Sequence, residues 1–270
     1  MFLVFHKAKI YSYAIAVFTV IVLFLVATSK PFEETVQTSS NPSRKLPIYA
    51  VETEEKKVAF TMNCAWNADD IESILETLKK CNIKITFFLV GDWVDKYPEA
   101  VKKIQENGHE IANHSDSHPH VNELNLEKNK QEIEECSKKI EEITGIKPSL
   151  YRGPYGEYND TVISAAESLN YKTIQWSLDT LDYSGLTGDQ MWNRLDSKIK
   201  PGDIILSHNG TKHTSDSLEM LLTKIQEKGY QIVKVSDLIY PDNSIIDVNG
   251  VQKRQKQQKL TFYVDKTKKR

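Results

Sequence analysis

The chain has 270 residues, with 35 Lys and Arg against 37 Asp and Glu and a formal net charge of −2. The length suits one large domain or two small ones, and the balanced charge gives no electrostatic reason to expect a nucleic-acid partner. Cys64, Cys81 and Cys136 cannot all pair and show no CxxC or zinc-finger spacing, so they read as small core residues and exclude a disulfide scaffold.

Residues 1–30 are the compositional outlier. His6, Lys7 and Lys9 precede an apolar run from Tyr11 to Ala27, roughly the 17–20 residues that span a bilayer. The flanking charge favours a cytoplasmic N-terminus. The run reads as an uncleaved signal anchor, a single transmembrane helix holding the rest of the chain outside the cell membrane; a cleaved signal peptide, with a secreted product, is the alternative. Residues 31–55, rich in Ser, Thr, Pro and Glu, read as a tether. Residues 241–270 read as a basic, solvated tail, with a short strand-prone stretch at Leu260–Val264.

Between these ends, strands and helices alternate. Val58–Met62 predicts a buried strand, and Asp70–Lys80 an amphipathic helix with Ile71, Ile74, Leu75 and Leu78 on one face. Strands at 83–90, 110–112, 149–152, 172–176, 203–207 and 231–235 are separated by helices at 98–107, 126–144, 160–169, 187–199 and 216–228. Gly108, Gly145 and Gly229 follow helical runs as stop signals. This is the pattern of βαβ units and a parallel sheet. It predicts an α/β fold, a distorted (β/α) barrel of about seven parallel strands over residues 56–240.

The placement of polar residues points to a site. Asn63, His114, Arg152, Asp179 and His208 each fall just past a strand-like run, on the face where α/β barrels build their active sites. His114 and His118 are four apart, a spacing that can aim two imidazoles at one metal ion but that also decorates solvated helices.

The ordered motifs over residues 55–240 resemble the NodB-homology polysaccharide deacetylases, carbohydrate esterase family four. His114-Ser115-Asp116-Ser117-His118 matches H-[ST]-x-x-H, and Arg152-Gly153-Pro154-Tyr155-Gly156 matches R-x-P-x-G. The run Trp176 to Tyr183 matches W-x-x-D-x-x-D-W with Tyr at its end, and Leu206-Ser207-His208 matches L-x-H. Within the family the chain looks closest to the sporulation-type PdaB-like branch. The resemblance implies hydrolysis of N-acetyl groups on a cell-wall polysaccharide, from peptidoglycan N-acetylglucosamine or N-acetylmuramic acid, or from chitin oligomers. It implies a divalent metal, zinc by default with cobalt or nickel also suited, held by His114, His118 and a carboxylate. It implies His208 as general acid with Asp179 orienting it, and Arg152 holding the base. Tyr155 and Trp176 would line the sugar cleft, with a core role open for Trp176.

The first family motif, T-F-D-D-G, is where the chain departs. Its two acids align with Asn63 and Cys64. The metal-ligand role is carried to Asp69, with Asp70 as runner-up; Asp70 also suits a helix N-terminus, and Cys64 as a thiolate ligand is a further alternative. Asn63 stands at the base position, and an amide cannot accept water's proton. Either another carboxylate substitutes, or hydrolysis runs slowly without a base, or the chain is a catalytically impaired pseudoenzyme that binds glycan.

Overall fold

The computed structural model describes residues 44–255, so the expected anchor at 1–30 and the stretch Leu260–Val264 lie outside the described residues. Among the described residues no helix is long and apolar enough to cross a membrane.

In chain order the strands are β1 (Ala50–Val51), β2 (Lys57–Cys64), β3 (Thr86–Leu89), β4 (Glu110–Asn113), β5 (Leu150–Tyr151), β6 (Lys172–Thr173), β7 (Leu178–Asp179), β8 (Ile204–His208), β9 (Gln231–Val233), β10 (Ser244–Ile246) and β11 (Val251–Arg254). The helices are α1 (Ile71–Lys80), α2 (Gly91–Lys96), α3 (Pro98–Glu106), α4 (Leu126–Thr144), α5 (Asp160–Ser168), α6 (Gly188–Leu195), α7 (Thr214–Glu227) and α8 (Val235–Leu238). The main sheet runs β6-β5-β4-β3-β2-β8-β7, with β9 against the start of β2. Every pairing in it is parallel. The path ends at β6 and at β7 without returning on itself, which makes an open half-barrel of the expected α/β class.

Strand β2 shows why this sequence builds a cleft. Side chains alternate across a strand. Val58, Phe60, Met62 and Cys64 enter the larger apolar cluster with Ile71, Leu75 and Leu222 of the helical layer. The opposite face carries Ala59 in a second cluster and then the polar pair Thr61 and Asn63. Both faces are buried, so the strand reads as an almost continuous apolar run. Each large aliphatic or aromatic side chain so buried contributes about 1.5–3 kcal/mol. Cys64 and Cys136 are buried free thiols, as expected, whereas Cys81 is half-buried.

The tether and tail are shorter than the sequence suggested. Ile48 and Val51, placed in the tether, are buried; Ile48 bridges Ile174, and the Val51 amide donates to Gly202 O. Strand β1 pairs in parallel with β11, and β11 runs antiparallel to β10, forming a separate three-stranded sheet. Residues expected in a solvated tail thus clamp residues expected in a tether.

Candidate active site

Register brings the site together. Asn63 on β2 lies opposite His208 on β8. Asn113, the last residue of β4, pairs with Tyr151 on β5, so His114 and Arg152 leave adjacent strands side by side. These groups line or underlie one cavity of about 460 Å³, whose walls include Asn63, Trp66, His114, His118, Tyr155, Trp176, Tyr183 and His208.

His114 is buried, and its Nδ1 lies 2.7 Å from Arg152 O. A carbonyl only accepts, so Nδ1 carries the proton and Nε2 keeps its lone pair toward the cavity. Burial, reinforced by neighbouring His118, holds the His114 pKa well below the usual imidazole value. Burial also lowers that of His118. The two rings meet edge to face with centroids 5.1 Å apart. The loop between them contains two residues in the left-handed region, Ser115 (φ 69°) and His118 (φ 58°). It is held from α4: Glu132 accepts hydrogen bonds from Ser115 Oγ, Asp116 N, Ser117 N and Ser117 Oγ at 2.8–2.9 Å.

Arg152 is fully buried. Its Nη1 donates to Asn63 Oδ1 at 2.9 Å and to Thr61 Oγ1 at 3.0 Å, and its Nη2 to Gln175 O at 3.1 Å. All of these partners are neutral. Phe88 stacks 3.9 Å from the guanidinium carbon. Burial pushes the Arg152 pKa down to about 9, with Asp179 partly opposing, so the side chain remains a cation at neutral pH. Arg152 therefore does hold the residue at the base position. Because a guanidinium only donates, Asn63 must turn its oxygen inward and its NH2 toward the cavity.

His208 is oriented by Asp182, not by Asp179 as the motif alignment suggested. Asp182 is fully buried; its Oδ1 lies 2.8 Å from His208 Nδ1, and its Oδ2 accepts from His208 N and Thr214 Oγ1. Leu181, at φ 53°, turns the chain so that Asp182 points inward. Asp179 instead accepts from Leu181 N at 2.7 Å, and burial raises its pKa.

Asp69 does not join the histidines: it is exposed on the turn before α1. The runner-up, Asp70, is tied down elsewhere, accepting from Asn209 Nδ2 at 3.1 Å and Gly210 N at 2.7 Å. Cys64 lies on the face of β2 away from Asn63, and burial raises its pKa well above the usual thiol value. Among the described residues no group of three His, Cys, Asp or Glu side chains is arranged to hold a metal. A catalytic zinc takes three protein ligands. His114 and His118 are one ligand short of that: His208 lines the same cavity but is not grouped with them, so among the described residues the arrangement does not fit a resident zinc, cobalt or nickel ion.

The rim is aromatic. Tyr155, 61 % exposed, stacks on His120 at 4.4 Å and meets His118 edge-on at 4.6 Å. Trp66 and Tyr183 flank His208 at 5.5 and 5.3 Å. Trp176 lines the cavity and also packs against Gly156, where a Cβ would lie 2.7 Å from its ring. Tyr155 and Trp176 both line the cavity, and Trp176 also packs against a core cluster. Trp66, Tyr183, Asp182 and Glu132 were missed. Asp182 and Tyr183 had a signal, as the second acid and the terminal aromatic of a matched motif.

A parallel half-barrel with a histidine pair, a buried arginine and a histidine–aspartate dyad at its C-terminal edge defines the class of carbohydrate de-N-acetylases. Residues 50–174 match the family model described as Polysaccharide deacetylase. YlxY of Bacillus subtilis (strain 168) is 36% identical over 193 residues, covering 72% of this chain and 60% of that protein. A peptidoglycan-N-acetylglucosamine deacetylase of Bacillus cereus is 31% identical over 186 residues, 67% of this chain and 68% of that one. Among solved structures, BA3943 of Bacillus anthracis, described as a CE4 family pseudoenzyme, superposes with TM-score 0.69 at 34% identity, over 71% of this chain and 68% of that one. A mutant of BA3943 is described as having restored enzymatic activity. The chain belongs to the polysaccharide deacetylase family.

Proposed function

We propose that this chain is a catalytically silent member of the family that binds cell-wall glycan, peptidoglycan first and chitin-like oligomers second, from the outer side of a membrane to which residues 1–30 anchor it. The observation that carries the reading is the pairing of Asn63 with Arg152 in a cavity where no carboxylate joins His114 and His118. Water cannot lose its proton to an amide, and loss of a general base costs about 10²–10⁴-fold in rate. The similarity to a CE4 pseudoenzyme supports this reading, as does the exposed aromatic rim, which offers flat apolar faces to sugar rings.

A slow deacetylase is the second reading, favoured by the His208–Asp182 dyad. Asp182 fixes the ring with Nδ1 bonded, which leaves Nε2 free to hold a proton for a departing amine. The test pairs two assays: co-sedimentation of the full chain with purified peptidoglycan, and acetate release from the same material. Binding without release supports the glycan-binding reading. Release that is lost in His208→Ala supports the second.

A further inference from the structure

We infer that the β10–β11 hairpin is a membrane-docking element: its aliphatic tip enters the headgroup region of an anionic bilayer, and the basic chain that follows β11 is held against the same surface. This rests on the reading of residues 1–30 as a membrane anchor and adds a contact made by the folded domain itself.

Three observations carry it. First, the hairpin shows more aliphatic surface than its own architecture uses. Asp247 and Gly250 build the turn: Asp247 Oδ1 accepts from the Asn249 and Val251 amides at 2.9 and 3.0 Å, and Gly250, at φ 78°, donates its amide to Asp247 O at 2.9 Å. Val248 makes none of these bonds and stands 89% exposed, at a place where turns favour polar residues and glycine. Ile245 and Ile246, 51% and 41% exposed, precede it on β10 and leave opposite faces of the strand. Aliphatic groups therefore surround the tip. Among the described residues β10 pairs with β11 alone, and sheets ordinarily defend such an edge with charge rather than with two isoleucines. Second, the chain enters the domain at this tip. Tyr49 N donates to Gly250 O at 2.9 Å, and a Cβ on Gly250 would lie 2.3 Å from the Tyr49 ring, so the turn is packed on the segment just before β1. Residues 31–43 alone join the expected anchor to Arg44, and thirteen residues reach at most about 45 Å when fully extended. The surplus aliphatic surface thus lies where a tethered chain comes in. Third, the charge is complementary. Beyond Arg254, residues 256–270 carry six Lys and Arg against one acid, Asp265. The acids beside the tip are already paired: Asp247 Oδ2 and Glu52 Oε1 lie 3.0 and 3.4 Å from Lys253 Nζ. An aliphatic projection next to a basic stretch suits the interface of an anionic bilayer, which takes up both.

The inference is tested with a nitroxide attached at Val248→Cys in the full chain carrying Cys81→Ser, reconstituted in nanodiscs of phosphatidylcholine and phosphatidylglycerol. Cys64 and Cys136 are buried and stay unlabelled. Spin-label saturation reads collisions with oxygen, which concentrates in lipid, and with a neutral nickel chelate, which stays in water. Ile146→Cys, in the exposed loop before β5, is the reference, and Ile245→Cys repeats the reading beside Val248. The expected result is that oxygen collisions exceed nickel collisions at 248, with nickel collisions at least about fivefold fewer than at 146. This protection should weaken when phosphatidylcholine replaces phosphatidylglycerol, and at ~0.5 M salt, where the screening length falls to about 4 Å. Nickel collisions equal at the two positions, in a chain that stays on the discs, overturn the inference and leave the anchor reading intact. Loss of both kinds of collision at 248 means cover by protein, such as a second copy of the chain, and also overturns it, as does protection indifferent to lipid charge and salt. A chain that leaves the discs at high salt overturns the anchor reading as well.

Discussion

Replacing Asn63 with aspartate would put a carboxylate at the position where Asn63 Oδ1 now meets Arg152 Nη1, 2.9 Å away. The cost of burying the guanidinium is already present in the native fold, since every hydrogen-bond partner named for it is neutral. The new charge pair would gain roughly 4 kcal/mol at an effective dielectric near 20 and about 4 Å between charge centres. Against this stands the desolvation of one more buried ion, several kcal/mol before its hydrogen bonds are counted. The net expectation is a stabilisation of about 1–3 kcal/mol. For a domain of this size that raises Tm by roughly 2–4 °C per kcal/mol. Thermal unfolding followed by circular dichroism at pH 7 reads it directly. Paired with Arg152, the aspartate would have a folded pKa below its unfolded value of about 3.9, so its contribution is full above that value and lost as pH falls through the folded pKa. The Tm gap should therefore close in acid. A double-mutant cycle with Arg152→Met isolates the pair. A Tm at pH 7 that is unchanged or lowered, with no coupling in the cycle, would refute the view of Arg152 as a buried cation with no carboxylate hydrogen-bonded to it.

Three further outcomes are expected. Asp182→Ala should destabilise the fold by about 3–5 kcal/mol in urea unfolding, because it strands His208, Thr214 and the Tyr183 amide, whereas Asp179→Ala should cost less than half as much; equal costs would undo the assignment of Asp182 as the orienter. Glu132→Gln can no longer accept from every donor of the 115–117 loop, and should speed hydrogen exchange at the Asp116 and Ser117 amides by roughly tenfold or more. His109 is buried, with Nδ1 accepting from Ile85 N and Nε2 unpartnered, and burial, with Lys84 adding, lowers its pKa to about 4. The unfolded chain therefore takes up a proton that the folded one refuses. Stability should be full above about pH 6.5 and fall as pH drops toward 4, by on the order of 2–3 kcal/mol, a slope that His109→Leu should abolish.

What the sequence disclosed divides along physical lines. Helix α4 falls at Leu126–Thr144 as expected, because its signals are local: Asn125 caps the Lys128 amide, and Gly145 closes it at φ 71°. The C-terminal placement of Asn63, His114, Arg152 and His208 was equally legible, since strand ends are written in apolar runs. The errors lie where geometry depends on distant chain. Asp179 and Asp182 sit three apart in the same motif, and only the left-handed turn at Leu181 decides which one reaches His208. Asp69 looks able to reach the histidines in a linear motif, yet the turn before α1 leaves it in solvent and gives Asp70 to the Gly210 loop. Ile48 and Val51 resemble stray apolar residues in a polar tether until Ile174, Gly202 and β11 provide partners far along the chain.

The most direct test of the central claim is acetate release from purified peptidoglycan by the full chain supplied with zinc, run beside His114→Ala. A cavity with an amide at the base position and no third metal ligand grouped with His114 and His118 among the described residues predicts no release above the buffer for either protein, while the native chain still sediments with the peptidoglycan. Turnover by the native chain that disappears in His114→Ala would contradict the account, and would mean that a group outside this cavity completes the site.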